Sequence, residues 1–236
     1  MQEKYVKYYS TILNRDIEIL ISGHWGQPVL MFPTSMGGFN QNKDFGLIDS
    51  VGDLIEAGNI KTYNVETIDS QSFYDDSISA ETKVYNYELY TTFLKDELVP
   101  AIQKECGVHR IIVAGCSFGG YHSTNFAFKY PDLVSGLISM SGAFSIKNFV
   151  GGFYNDNVYF NDPLDYMANA ESWRYNHMKI ILGTSDWDSC RGSNIAMSAL
   201  LSSKGIDHWY DEKRWADHDW PLWKMTFPEY IRKVIF

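Results

Sequence analysis

The sequence predicts an α/β fold: a largely parallel sheet with helices on both faces. Short, continuous apolar runs such as Val29-Leu30-Met31-Phe32 and Ile111-Ile112-Val113-Ala114 suit strands buried on both sides. Amphipathic stretches with helical spacing alternate with these runs, which is the α/β pattern. The composition, 45% hydrophobic and 16% aromatic over 236 residues, is enough to fill one large core. That length fits a single domain, 1–236, with a small excursion on the sheet's rim.

Residues 4–22 read as two strands joined by a tight turn. Tyr5 to Ile12 is rich in aromatic and β-branched residues, Asn14-Arg15-Asp16 turns the chain, and Ile17-Glu18-Ile19-Leu20-Ile21 continues. Pro33 ends the buried run 29–32. Leu47, Val51, Leu54 and Ile55 recur at helical spacing and predict a helix over about 46–57, stopped by Gly58-Asn59. A strand follows at 60–65. A second helix, over about 84–105, carries Leu89, Phe93, Leu94, Leu98 and Ile102 on one side, and Gly107 closes it. The strand 110–114 leads into a helix over about 118–130, which stops at Tyr130-Pro131, and 136–140 is the next strand. The segment 144–176 is aromatic and rich in Asn and Asp, without a clean period, and reads as the rim excursion. The sheet resumes at 179–182. A helix near 192–204, a short strand at 208–210 and a closing helix over 223–235 complete the order, with Pro228 placed to divide the last.

Acidic residues number 29 against 20 Lys and Arg, a net charge of −9. Such a surface offers phosphate backbones and anionic lipid no counter-charge, which argues against nucleic-acid and membrane partners. No apolar run approaches the ~20 residues needed to span a bilayer. Three scattered cysteines, Cys106, Cys116 and Cys190, form neither a disulfide framework nor a zinc knuckle. The expected setting is cytoplasmic, and the sequence leaves a homo-oligomer open. No metal motif and no dinucleotide or phosphate-loop glycine pattern is present, so neither a metal nor an organic cofactor is expected.

One motif carries chemistry. Gly115-Cys116-Ser117-Phe118-Gly119, followed by Gly120, has the form G-x-S-x-G directly after a predicted strand and directly before a predicted helix. A sharp strand-to-helix turn lifts a serine hydroxyl clear of the backbone, and small flanking residues let that turn close. The helix N-terminus then supplies backbone donors where charge develops in acyl transfer. Cys116, just before the serine, is expected to point into the core.

A serine nucleophile needs a base held by an acid. Asp186, in Gly183-Thr184-Ser185-Asp186 past the strand 179–182, is expected to be the acid. Asp188 is its rival and is expected to stabilise the next helix instead. Among six histidines, His218 lies in a loop after the last predicted strand and is expected to be the base; His208 more plausibly packs or caps, and His122 is too close in sequence to reach over Ser117. The order Ser117, Asp186, His218 is the chain order of an α/β-hydrolase triad. Oxyanion donors are expected from the Phe118 N–H and from either Ser35 N–H or Met36 N–H in Pro33-Thr34-Ser35-Met36-Gly37-Gly38. Phe39, Phe144, Trp187 and Trp220 flank rim loops and are candidates to line the substrate pocket.

On these residues, together with Phe126-Ala127-Phe128-Lys129-Tyr130-Pro131-Asp132-Leu133, His218-Asp219-Trp220 and Trp223, the chain resembles the α/β-hydrolase superfamily. Within it, the chain is similar to the esterase group that includes S-formylglutathione hydrolases and mycolyltransferase-like esterases. The resemblance implies a three-layer fold with a mostly parallel sheet of about eight strands, and it carries Ser117 to the nucleophile, Asp186 to the acid and His218 to the base. Pro33-Thr34 stands where the group has His-Gly, and the short excursion 144–176 disfavours a large lid and action on bulk fat. The expected activity is hydrolysis of small acyl or small aromatic esters through an acyl-serine. The alternatives are acyl transfer, thioester hydrolysis or a catalytically silent binding protein on the same fold.

Overall fold

A computed structural model describes residues 1–236. Eight strands form one sheet in the order β1-β2-β4-β3-β5-β6-β7-β8. They are β1 (Glu3–Ser10), β2 (Arg15–Ser22), β3 (Gln27–Phe32), β4 (Ile60–Val65), β5 (Ile111–Cys116), β6 (Val134–Met140), β7 (Lys179–Trp187) and β8 (Trp209–Asp217). β1 and β2 make an antiparallel hairpin, and β2 joins β4 antiparallel. From β4 to β8 every pairing is parallel. The sheet class and strand number therefore agree with the sequence expectation.

Alternation along the central strands divides the core in two. Leu30, Phe32, Val113, Leu137 and Leu182 face one side, where helices Ala80–Phe93, Phe118–Lys129 and Arg191–Ser203 pack with Tyr87, Tyr90, Phe126, Met197 and Leu201. Val29, Met31, Ile112, Ala114, Ile138 and Ile181 face the other, against Leu54, Ile55, Phe227, Tyr230 and Ile231. A strand covered on both faces needs apolar side chains at both parities, which is why these segments read as unbroken apolar runs.

Five elements differ from the sequence expectation. The stretch near 46–57 is not one helix but a 3₁₀ turn, Asp49–Val51, running into the short helix Gly52–Glu56; the apolar positions that suggested a helix are buried all the same. The second helix starts at Ala80 and passes through a π-helical turn, Leu94–Leu98, before Val99–Cys106. Pro100 cannot donate to the Asp96 carbonyl, and the wider turn lies where that bond would fall. Pro228 does not divide the last helix, Trp220–Ile235. The carbonyl it leaves without a partner belongs to Lys224, on the exposed side, where water can serve it. Finally, β7 and β8 are both much longer than predicted, with consequences for the site.

Parallel strands deliver their C-terminal ends to one rim, and the tightest contact on that rim is made by glycines. A Cβ on Gly115 would lie 2.3 Å from the Gly119 carbonyl carbon, and one on Gly119 would lie 2.5 Å from the Pro33 oxygen and 2.6 Å from the Phe32 oxygen. The opposing atoms are backbone and cannot rotate away. Gly119→Ala is accordingly expected to lower unfolding free energy by about 1–3 kcal/mol or to prevent folding. Urea denaturation checks this, and a midpoint equal to that of the parent chain would refute it.

Candidate active site

β5 ends at Cys116, and the helix Phe118–Lys129 begins one residue later, so Ser117 must turn the chain by itself. It does so at φ 56° and ψ −120°, a conformation unusual for a side chain with a Cβ, while its N–H donates to Met140 O at 2.8 Å. Cys116 is fully buried, as expected.

The Ser117 hydroxyl lies 2.8 Å from His218 Nε2, and His218 Nδ1 lies 2.7 Å from Oδ1 of Asp188. The structure thus brings Ser117 and His218 together but puts Asp188, not Asp186, on the imidazole. The reason is the length of β7. The sequence suggested that the strand stops at Leu182, leaving Asp186 in the rim loop, whereas it runs to Trp187 and the loop begins with Asp188. Asp186 is a strand residue whose Oδ1 accepts the Trp215 N–H at 2.8 Å. Ser185 pairs with Lys213 but Trp187 with Asp217, so β8 bulges over 214–216 and carries Trp215 at φ 60°. For a bulky residue that conformation costs roughly 1–2 kcal/mol, and the Asp186 carboxylate helps to hold it.

Asp188 is well placed for its contact. Its side chain is inaccessible to solvent; Oδ1 also accepts the Cys190 N–H at 2.7 Å, and Oδ2 accepts the Thr184 hydroxyl at 2.9 Å. Burial opposes its charge, but the imidazole and the other donors around it outweigh burial and hold the carboxyl below the usual range. An ionised carboxylate only accepts, so in the neutral imidazole the ring proton stays on Nδ1 and Nε2 is left to accept from Ser117. Behind the ring, Trp223 packs edge-on, with centroids 5.2 Å apart, and its Nε1–H donates to Ser141 Oγ at 2.9 Å. Burial likewise opposes charging of His218, yet the carboxylate of Asp188 and the sulfur of Cys190 raise its pKa to about 9.

Residues 26–234 match the family described as Putative esterase. The chain belongs to that esterase family. Its enzyme class is that of a carboxylic ester hydrolase. The fold is similar to that of a ferulic acid esterase, at 19% identity over 100% of both chains with a TM-score of 0.79. It is also similar to an S-formylglutathione hydrolase from Staphylococcus aureus, at 13% identity over 100% of both chains and a TM-score of 0.76. MPT51 of Mycobacterium tuberculosis is 16% identical, with 100% of this chain and 98% of that one covered and a TM-score of 0.76. A search of curated proteins returns no match. No helix of this esterase is long and apolar enough to cross a membrane.

The turn expected to supply an oxyanion donor belongs to a network that sequence reasoning missed. Thr34 to Gly37 closes a turn through Gly37 N–H to Thr34 O at 2.9 Å, with Met36 at φ 60°. The Met36 N–H points at Asp69, whose Oδ2 accepts it at 2.9 Å, while Asp69 Oδ1 lies 3.0 Å from His122 Nε2 and His122 Nδ1 lies 3.0 Å from Tyr87 Oη. Asp69 is 2% exposed and His122 1%. Met36 N–H therefore serves a buried carboxylate, whereas the Ser35 N–H makes no hydrogen bond within the protein. The Ser35 hydroxyl also accepts from Tyr74 Oη at 2.7 Å. Phe118 N–H, at the first helical position, has no intrahelical acceptor.

The aromatic candidates divide. Phe144 is fully buried and packs under Gly142, so it lines the core rather than a pocket: its ring atoms occupy the space a side chain at Gly142 would need. Trp187 is exposed and meets Trp215 edge-on at 5.5 Å; Trp220 stacks on Phe45 at 4.6 Å, and Phe39 packs against Tyr5 at 5.3 Å. Two cavities, of about 510 Å³ around Lys129 and Tyr166 and about 550 Å³ around His177 and Trp209, lie away from Ser117.

Two outcomes follow from this geometry. Only a neutral imidazole takes up a proton, so kcat/KM is expected to climb as pH rises from the ordinary histidine value of 6.5 toward about 9, as imidazolium is lost. A pH–rate profile that is already flat from neutral pH upward would contradict this. Asp69→Ala leaves the Met36 and His122 donors without their acceptor and is expected to cost about 2–4 kcal/mol of stability, read as a lowered urea midpoint.

Proposed function

We propose that this esterase hydrolyses carboxylic esters through an acyl-Ser117 intermediate, with His218 as the base and Asp188 as the orienting acid. The unbroken chain from Ser117 Oγ to His218 Nε2 at 2.8 Å and from His218 Nδ1 to Asp188 Oδ1 at 2.7 Å carries this reading. His218 takes the serine proton as Oγ attacks the ester carbonyl, and Asp188 stabilises the imidazolium so formed. The oxyanion is met by Phe118 N–H and by a donor from Ser35. Collapse of the tetrahedral intermediate passes the proton from Nε2 to the leaving alcohol, and water then releases the acid by the same steps.

Small acyl or small aromatic groups are the proposed substrates. Long acyl chains need an enclosed tunnel, whereas the cavities of about 510 and 550 Å³ lie elsewhere and the loops that carry Asp188 and His218 offer the exposed rings of Trp187 and Trp215. The three unpaired thiols support a reducing, cytoplasmic setting.

Paired substitutions separate the two aspartates. Asp188→Asn is expected to lower kcat on p-nitrophenyl acetate by about 10⁴-fold, because an amide at that position favours the wrong tautomer. Asp186→Asn, which perturbs only the Trp215 bulge, is expected to lose less than ~10-fold. A serine-directed phosphonate should add to Ser117 and block turnover. Absence of both turnover and adduct would sink the serine mechanism, and a larger loss from Asp186→Asn would move the acid. Across esters from acetyl to palmitoyl, the rate should fall with chain length; an optimum at ten or more carbons, roughly the length of a buried lipid tail, would defeat the small-acyl assignment.

A further inference from the structure

The loop that holds Asp188 contains a second reactive group that ester hydrolysis does not use. Cys190 is a partly exposed free thiol two residues beyond the acid. Asp188, Cys190 and His218 each present one donor atom, and the three atoms lie within 4.8 Å of one another. A tetrahedral zinc ion, with bonds of about 2.0–2.3 Å, sets its ligands about 3.3–3.6 Å apart, so the imidazole and carboxylate, now 2.7 Å apart, would open by about 0.6 Å and the sulfur would approach by about 1 Å to admit a metal. A thiolate, an imidazole and a carboxylate are a donor set that suits zinc and not magnesium or calcium. Their two negative charges would neutralise the ion, and three protein ligands leave the fourth position to water.

We propose that Asp188, Cys190 and His218 form an inhibitory zinc site that competes with ester hydrolysis. The proposal takes its inhibitory sense from the reading of His218 as base; the metal site itself stands on the geometry. In the neutral ring, the form active in ester hydrolysis, Nδ1 carries the proton and faces Asp188. Zinc on Nδ1 moves that proton to Nε2, and the thiol proton leaves to solvent. No bond to carbon forms or breaks and no electrons are transferred. With a proton on Nε2 the ring can only donate toward Ser117, so it cannot accept the serine proton. Zinc also takes the Asp188 carboxylate from its orienting role. The same three residues therefore support either proton transfer or the metal, not both.

The test uses the full chain, Zn²⁺ with Mg²⁺ as the hard-cation control, and the variant Cys190→Ala, which keeps the backbone N–H that Asp188 accepts. Three readouts are taken: zinc affinity by competition with a chelating dye, alkylation of Cys190 by iodoacetamide followed by peptide mass spectrometry, and turnover relative to each protein's own zinc-free rate. The parent chain should bind one zinc, alkylate Cys190 at least ~10-fold more slowly when zinc is present, and lose turnover that EDTA restores. Cys190→Ala should bind zinc at least ~10-fold more weakly and resist inhibition accordingly; Mg²⁺ should do neither. Equal zinc affinity in the two proteins, or alkylation of Cys190 unaffected by zinc, overturns the site. Zinc held through Cys190 with full turnover overturns the competition. If no ester is turned over at all, the serine mechanism has failed, and affinity and alkylation still decide the metal site.

Discussion

The site depends on how closely three backbones can approach one another. β5, the helix that follows it and the loop after β3 meet where Gly115 faces Gly119 and Gly119 faces the carbonyls of Phe32 and Pro33. Without that approach the turn at Ser117 would have to widen, and the Ser117 hydroxyl would lose its position relative to both His218 and the Thr34–Gly37 turn. The strained dihedral at Ser117 follows from the same geometry. A helix that starts one residue after a buried parallel strand leaves no room for an ordinary turn, and the Ser117 N–H bond to Met140 ties the strained residue to the neighbouring strand. Burial of the flanking strands on both faces keeps the whole junction from relaxing.

Partnerships with His218 illustrate what a chain can and cannot disclose. Ser117 is legible because its requirement is local: glycines, a strand before and a helix after lie within a few residues. His218 is legible because it stands in a polar loop after the last strand. The carboxylate that meets His218 is not, because Asp186 and Asp188 differ only in where β7 ends, and that end is decided by pairing with β8. Ser185-Asp186-Trp187 has no strand signature of its own. A strand sustained by its neighbour's register gives no local clue to where it stops.

Core and polar network contrast in the same way. Apolar runs and helical spacing made most of the sheet and its covering helices readable, since burial imposes a period on the residues themselves. The link between Asp69, His122 and Met36 imposes none. His122 sits among the buried positions of its helix and Asp69 follows β4 in a polar stretch, and each is understood only when folding brings together residues 53 positions apart. Phe144 erred in the other direction: a rim location suggested a pocket wall, but the glycine at 142 lets the ring fold under the loop.

The Asp69–His122 contact has a consequence for how this scaffold could change. It ties the loop after β4, the helix after Ser117 and the Thr34–Gly37 turn into one block, each part satisfying a buried polar group of another. Alterations inside that block propagate to Ser117, so it has little freedom to vary. The opposite wall, made by the 186–191 loop, the β8 bulge and the segment 144–176, carries buried bonds of its own: Asp188 meets His218, and Asn161 meets Tyr121 and Asn125 of the helix after Ser117. Its exposed side chains, such as Trp173 and Trp187, carry no such bond and can be exchanged while Ser117 stays where it is. New substrate preferences on this framework should therefore arise at those exposed positions, with the buried bonds serving as a fixed anvil.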